Sequence, residues 1–378
     1  MTSTESPRPL RYACEFDPSG YAVAARRYLR ALGSVQQPVS WLPLHNTREG
    51  RLPTTASTLD APAELLALPR SPAAEAGGTV LAHCMPMSWR ALRAQFGADR
   101  LIGQTVWEAD RIPARWHSEL TAADEIWVPT EWNAETIRSS GLTMPVHVVP
   151  HVIECIDASP PPLEVDASRF VFASVCTWDR RKRPDLLLHA FLRAFTDADE
   201  VTLVLKTYPQ VLSWNTANKL QRQTWWQVMQ IVRQYPNPAD VVLVTDQWTD
   251  GEMAGLLQRA DCYVSLTSVE GWGLGAFDAA VAGVPLIITG YGGQLEWLGD
   301  DHPGLVPFTI ADADHPDRSM FEPGMTWAVA DVEVAAEMMR GAVDGTGGFL
   351  AAAPSLATRL AQQYSEHAVG TTMKRLLG

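Results

Sequence analysis

Ser268-Val269-Glu270-Gly271-Trp272-Gly273-Leu274-Gly275-Ala276-Phe277-Asp278-Ala279-Ala280-Val281-Ala282-Gly283-Val284-Pro285 joins an apolar strand, Cys262 to Leu266, to a helix that ends at Gly283. Two acids, Glu270 and Asp278, bracket the glycine-rich turn at the start of that helix. A helix N-terminus presents unpaired backbone N–H groups and the positive end of its dipole, so it suits a diphosphate. Gly271, Gly273 and Gly275 let a ligand approach the backbone closely. The flanking acids can then hydrogen-bond hydroxyls on either side of the phosphates, which is the layout a sugar nucleotide requires. As a dinucleotide loop the stretch reads poorly, because Asp278 stands where the third glycine belongs.

Outward from this turn the chain alternates strands and helices. In the second half the expected strands are 170–175, 202–206, 241–245, 262–266 and 286–289, and the helices 184–195, 219–234, 251–259 and 275–282. The first half repeats the pattern, with strands at 10–16, 79–83, 101–107, 125–129 and 146–150 and helices at 21–32 and 133–140. Such alternation argues for parallel sheets covered by helices, with ligands beyond the carboxyl ends of the strands. Between the halves, residues 153–167 carry Pro160-Pro161-Pro162 and read as a linker. The expected division is therefore a domain over 1–152, a linker over 153–167, a domain over 168–355 and a last helix, about 356–377.

A chain of 378 residues suits about two domains. Its 46% apolar and 19% charged residues are those of an ordinary globular protein. The net charge of −13 argues against nucleic-acid binding and disfavours an anionic membrane surface. Arg26, Arg27 and Arg30 on one helix are either a local basic face or a solvated surface. No run reaches the roughly 18 apolar residues of a membrane span. Five dispersed cysteines without a C-x-x-C pair point to reduced thiols and a cytoplasmic protein. No His/Cys/Asp cluster has metal-ligand spacing, and Asp312-Ala-Asp314 reads as a surface loop.

The turn resembles the donor-site signature of retaining glycosyltransferases of family four. There a glutamate opens an E-G-x-G-L turn and a second glutamate follows eight positions later; here these are Glu270 and Asp278, the second one methylene short. Ala279 to Pro285 is similar to the family's helix exit. Trp178-Asp-Arg-Arg-Lys-Arg-Pro-Asp-Leu-Leu-Leu188 resembles its basic R/K-x-x-K-G-x-D-x-L-L turn, and Thr105–Pro113, Ile126–Thr130 and Val148–His151 match more loosely. The fold implied is GT-B, two Rossmann-like domains facing across a cleft. The first would bind the acceptor and the second the donor, with the C-terminal helix crossing back to the first domain.

The resemblance implies catalytic roles for Lys182, Glu270 and His83. Lys182 would stabilise charge on the departing diphosphate, Glu270 would accept hydrogen bonds from sugar hydroxyls, and Asp278 would hold the ribose. Gly273, Leu274 and Gly275 would give backbone N–H groups to the diphosphate, Asp246 lies where the nucleobase is cradled, and Gly20 lies in the loop that approaches the diphosphate. The family's upstream arginine is missing, with Cys176 and Thr177 near its place, so Arg181 or Arg180 stands in for it. His83 and Lys206 end strands, where a structural role competes with a functional one; Trp272 is either pocket wall or core. Glu108 and Asp110 follow a strand end and suit acceptor hydroxyls or amines, with a loop salt bridge as the rival reading.

The resulting expectation is a metal-independent retaining hexosyltransferase that needs no cofactor beyond its nucleoside-diphosphate sugar, UDP- or GDP-linked. Its acceptor would be a small molecule or glycan, an amino sugar or aminocyclitol among the candidates. Homodimerisation is left open. An epimerase or phosphorylase on the same fold, and a catalytically inactive sugar-nucleotide-binding partner, are the alternatives; a NAD-dependent oxidoreductase is a distant one.

Overall fold

A computed structural model describes residues 10–47, 50–54, 56, 59–71, 76–208 and 217–378. The chain divides into two compact units, Met1–Ile153 with Gln362–Gly378, and Glu154–Ala361.

In the first unit the order is β1 (Leu10–Cys14), α1 (Gly20–Ser34), β2 (Val39–Thr47), β3 (Gly50–Pro53), α2 (Ala63–Leu66), β4 (Thr79–His83), α3 (Trp89–Phe96), β5 (Arg100–Gln104), α4 (His117–Leu120), β6 (Glu125–Val128), α5 (Glu131–Ser139) and β7 (Val146–Val148). The sheet order is β3-β2-β1-β4-β5-β6-β7. Among the described residues only the β2–β3 pair of this sheet is antiparallel. β1 and β4 are buried throughout apart from Thr79, because both sides of a parallel sheet are covered and apolar runs replace alternation. α1 starts where the Ser19 hydroxyl accepts from the Ala22 amide at 3.3 Å, a side-chain N-cap. β2 lies where no strand is expected; Pro43 stands within it, and its neighbour Leu44 is buried, so packing outweighs the proline.

α1 offers no open basic face. Arg27 is buried, Arg26 lies 3.6 Å from Glu64, and Arg30 pairs with Glu64 at 2.8 Å and Glu366 at 3.3 Å.

The second unit runs β8 (Phe170–Thr177), α6 (Pro184–Ala194), β9 (Val201–Tyr208), α7 (Ala217–Val232), β10 (Asp240–Val244), α8 (Asp250–Arg259), β11 (Cys262–Ser265), α9 (Leu274–Val281), β12 (Leu286–Thr289), α10 (Leu295–Leu298), β13 (Leu305–Val306), β14 (Phe308–Asp312), β15 (Thr326–Ala330), α11 (Val332–Val343) and α12 (Gly348–Gln363). Its parallel sheet has the order β10-β9-β8-β11-β12-β13, and β14 and β15 form a separate antiparallel hairpin. This is the doubly wound order of a Rossmann-like domain, and the first unit repeats it. Phe172, Phe191, Phe195, Leu203 and Leu205 share one core cluster with Met339 of α11. Each large side chain so buried contributes about 1.5–3 kcal/mol relative to exposure. Residues 153–167 carry no regular structure, yet the Ser159 amide donates to the Gly251 carbonyl at 2.9 Å, so this stretch lies against the start of α8.

The expected single helix at 356–377 is two. α12 ends at Gln363, and α13 (Glu366–Leu377) starts afresh with the Ser365 hydroxyl accepting from the Ala368 amide. A residue that caps in extended conformation cannot also continue a helix. α13 belongs to the first unit, where Lys374 donates to the Val35 carbonyl at 2.8 Å and Arg100 to the Leu376 carbonyl at 2.7 Å.

Candidate active site

The strand order of the second unit reverses at β8, so β8 and β11 are neighbours and their exit loops lie side by side. Such a switch point is where doubly wound sheets bind ligands. The loop leaving β8 carries Asp179, Arg180, Arg181, Lys182 and Arg183; the loop leaving β11 carries Thr267, Ser268, Val269 and Glu270. Backbone links them: the Ser268 amide donates to the Arg181 carbonyl at 2.8 Å. Side chains complete the join. Lys182 Nζ donates to Glu270 Oε1 at 2.6 Å, Arg181 Nη1 to Glu270 Oε2 at 3.1 Å and to the Val269 carbonyl at 2.8 Å, and Thr267 Oγ1 to Glu270 Oε1 at 3.1 Å.

Glu270 is 6% exposed. Burial opposes its ionisation, but the Lys182 and Arg181 charges and hydrogen bonds outweigh that and hold the carboxyl below the ordinary glutamate range. The three side chains therefore form an ionised cluster of one acid and two cations at the sheet's carboxyl edge. Arg180 is not part of it. It turns to Asp314 at 2.9 Å, an exposed pair that contributes little.

Beside this cluster α9 begins at Leu274. Gly273 precedes it in the left-handed conformation, φ 82°, and no side chain caps the helix. Trp272 is buried core: its ring packs on Phe277 with centroids 5.0 Å apart, and its carbonyl accepts from Trp297 Nε1 at 2.8 Å. Gly275 is required for a different reason. A Cβ there would stand 2.6 Å from the Tyr263 hydroxyl, which itself bridges to the Val175 carbonyl at 3.2 Å. Gly275→Ala is expected to cost about 1–3 kcal/mol by overpacking. Thermal denaturation of Gly275→Ala, Tyr263→Phe and the double variant checks this; a double variant no more stable than Gly275→Ala alone would place the strain elsewhere. Asp278 lies half-buried in α9, close enough for its charge to act on the Tyr263 phenol.

Asp246 lies just past β10, at the opposite side of β8 from Glu270. With Gln247, Trp248 and the linker residues Pro162, Leu163 and Glu164 it lines a cavity of about 570 Å³. Lys206 on β9 is buried with its ammonium 5.6 Å from the Trp248 ring, and burial brings its pKa down to about 8 against the opposing Asp246 charge.

Gly20, His83, Glu108 and Asp110 belong to the first unit. Gly20 is the first residue of α1. His83 ends β4, is 3% exposed, and shares a hydrogen bond with Tyr12 through Nδ1 at 2.8 Å. Tyr21 and Tyr28 pack on its ring, and burial pushes its pKa down to about 3, so the imidazole is neutral at physiological pH. It can share a hydrogen bond in that state but carries no charge. Glu108 is half-buried and Asp110 exposed, both in the turn after β5.

The structure thus brings Lys182, Arg181 and Glu270 together, with Gly273, Leu274 and Gly275 adjoining. Thr267, Asp179, Tyr263 and His315 carry this arrangement and are not legible as site residues in the sequence. Asp179 borders the basic run, which is a weak signal. His315 has none, because its link to Asp179 spans 136 residues.

Residues 156–314 match the model of the glycosyl transferases group 1 family. This segment is a glycosyltransferase domain. Among solved structures, the chain is similar to sucrose-phosphate synthase from Thermosynechococcus elongatus, with 15% identity over 98% of each chain and a TM-score of 0.64. It is similar to a UDP-forming alpha,alpha-trehalose-phosphate synthase from Burkholderia xenovorans, solved with glucose-6-phosphate, with 14% identity over 98% of this chain and 100% of that one and a TM-score of 0.63. It also resembles a point mutant of S. aureus TarM in complex with fondaparinux, alpha-GlcNAc-glycerol and UDP, with 12% identity over 79% of this chain and a TM-score of 0.52. The chain covers 55% of the length of that TarM chain. No curated protein matches in sequence. At these identities the likeness establishes the fold: GT-B, with two Rossmann-like domains. The glycosyltransferase domain contains both exit loops and the ion cluster.

Proposed function

We propose that the protein is a retaining glycosyltransferase that moves a hexose-type sugar from a UDP- or GDP-linked donor to an acceptor hydroxyl. The observation that carries this reading is the Lys182–Glu270–Arg181 cluster beside the uncapped start of α9. In the reaction the bond between the anomeric carbon and the phosphate oxygen breaks, and its electron pair goes to the diphosphate. Charge growing on that oxygen is met by Lys182, by Arg181 in the place of the missing upstream arginine, and by the α9 amides. Glu270 accepts from a sugar hydroxyl while its two cations keep it ionised. Asp278 holds the ribose and Asp246 borders the nucleobase. The acceptor oxygen bonds the anomeric carbon from the face the diphosphate leaves, and its proton passes to the leaving phosphate. On the family resemblance, neutral His83 and Gly20, both in the first unit, are further candidates for donor contacts.

We place the protein in the cytoplasm and infer a small soluble acceptor, an amino sugar or aminocyclitol held by Glu108 and Asp110 through charge-assisted hydrogen bonds. Among the described residues no helix is long and apolar enough to cross a membrane, and the cysteines are free thiols. Among them, too, no group of three or more His, Cys, Asp and Glu is placed to hold a metal ion; we assign the role of neutralising the diphosphate to the basic side chains and α9.

A thermal-shift panel of UDP-, GDP- and ADP-sugars in excess EDTA tests the donor reading. Binding to the native state raises apparent stability by about 2.7 kcal/mol at a ligand concentration 100-fold above Kd. A UDP- or GDP-sugar is expected to give the largest shift, and turnover to survive EDTA. A shift or turnover that appears only with added magnesium or manganese overturns the metal-free mechanism.

A further inference from the structure

The basic loop 178–183 must hold two cations against one buried carboxylate, and its backbone is tied at two points, by the Ser268 amide on the Arg181 carbonyl at 2.8 Å and by the Arg183 amide on the Asp179 carbonyl at 3.3 Å. Arg183 takes the left-handed conformation, φ 50°, uncommon for a residue with a Cβ; it makes no side-chain N-cap, and its guanidinium pairs with Asp185 in the first turn of α6 at 3.0 Å. Further support arrives from the β14–β15 hairpin. His315 Nδ1 accepts from the Asp317 amide at 3.0 Å, so the imidazole proton sits on Nε2, and Nε2 donates to Asp179 Oδ2 at 3.1 Å. The other oxygen, Asp179 Oδ1, accepts from the Arg181 amide at 2.9 Å. His315 and Asp179 are about 10% and 9% exposed as side chains, and the His315 ring lies on Phe321 with centroids 4.4 Å apart. Burial works against ionisation of Asp179, yet the His315 hydrogen bond and the Arg181 charge and amide bring its pKa to about 2. The same hairpin grips the other loop, since the Ala328 amide donates to the Ser268 carbonyl at 3.1 Å.

We propose that His315 is a positioning residue: through Asp179 it fixes the height of the Arg181–Lys182 loop, and so sets how strongly the site binds a diphosphate. The inference rests on the reading of the site as a sugar-nucleotide site. Two of the contacts between the hairpin and this loop differ in weight. The Arg180–Asp314 pair is solvent-screened on both sides. The His315–Asp179 link is buried, where a satisfied hydrogen bond to a charged group counts most. It also acts through the backbone of Arg181, whose side chain and neighbour Lys182 both reach Glu270.

Calorimetric titration of UDP, GDP, UMP and GMP into wild type, His315→Ala and His315→Gln tests this. Gln keeps an N–H donor at the position of Nε2; Ala does not. His315→Ala is expected to weaken the preferred diphosphate about tenfold, to leave the matching monophosphate within about twofold, and His315→Gln to recover most of the loss. Equal losses for mono- and diphosphate, or an unchanged diphosphate affinity, overturn the positioning role. Wild type that binds neither diphosphate is a different outcome and overturns the sugar-nucleotide reading itself. Should His315→Ala melt below the assay temperature, Asp179→Asn removes the charged acceptor at nearly constant size. It is expected to show the same selective loss, and a normal diphosphate affinity in that variant sinks the proposal equally.

Discussion

Replacing Lys182 by alanine is expected to cut turnover on the order of 10²-fold while changing donor affinity far less, because the ammonium matters most as charge moves onto the departing diphosphate. The fold should tolerate the change. Lys182 is about 22% exposed as a side chain, and Glu270 keeps Arg181 at 3.1 Å and Thr267 at 3.1 Å after its loss. Steady-state kinetics with the donor identified by thermal shift, together with a melting curve, separate the two effects. Turnover within a few-fold of wild type in a folded Lys182→Ala protein would make Lys182 a counter-ion for Glu270 and nothing more.

Glu270→Ala is expected to do the greater damage, to stability as well as turnover. It removes the buried carboxylate that both Arg181 and Lys182 reach. Breaking a buried ion pair by deleting one partner costs about 3–5 kcal/mol, and the partial exposure of both cations argues for the lower end. Turnover should fall at least about 10²-fold, since the sugar loses its acceptor and both cations lose their aim. Glu270→Gln separates these contributions by keeping size and an acceptor oxygen. The acid limb of the stability curve adds a check. The folded carboxyl titrates below the ordinary value of 4.5, so its stabilisation is complete above about pH 4.5 and is lost as pH falls through the folded pKa. Glu270→Gln should lack that part of the acid dependence. Melting temperatures from about pH 3 to 7 show whether it does, and a Gln variant with wild-type turnover confines Glu270 to a structural role.

Local patterning is enough for part of this architecture. The strands at 79–83 and 286–289 lie at the expected residues, because an apolar run bounded by breakers has few local alternatives. The turn from Glu270 into α9 follows from Gly273 and Gly275, whose conformation and closeness to Tyr263 only glycine permits. Lys182 and Glu270 are legible as candidates because each follows a strand and precedes a helix. Long-range packing settles the rest. Lys182 and Glu270 are 88 residues apart, and the reversal of strand order between β8 and β11 brings them to 2.6 Å. Sheet order is set by which faces can be buried against which helices, and no window of sequence contains that information. The choice of Arg181 over Arg180 beside Glu270 likewise depends on Asp314, supplied by a hairpin the local pattern does not announce. His315 and Asp179 meet only because that hairpin folds back over the β8 exit. A buried charge is tolerated where a partner reaches it, and the fold, more than the residue's neighbours in sequence, determines which partners can.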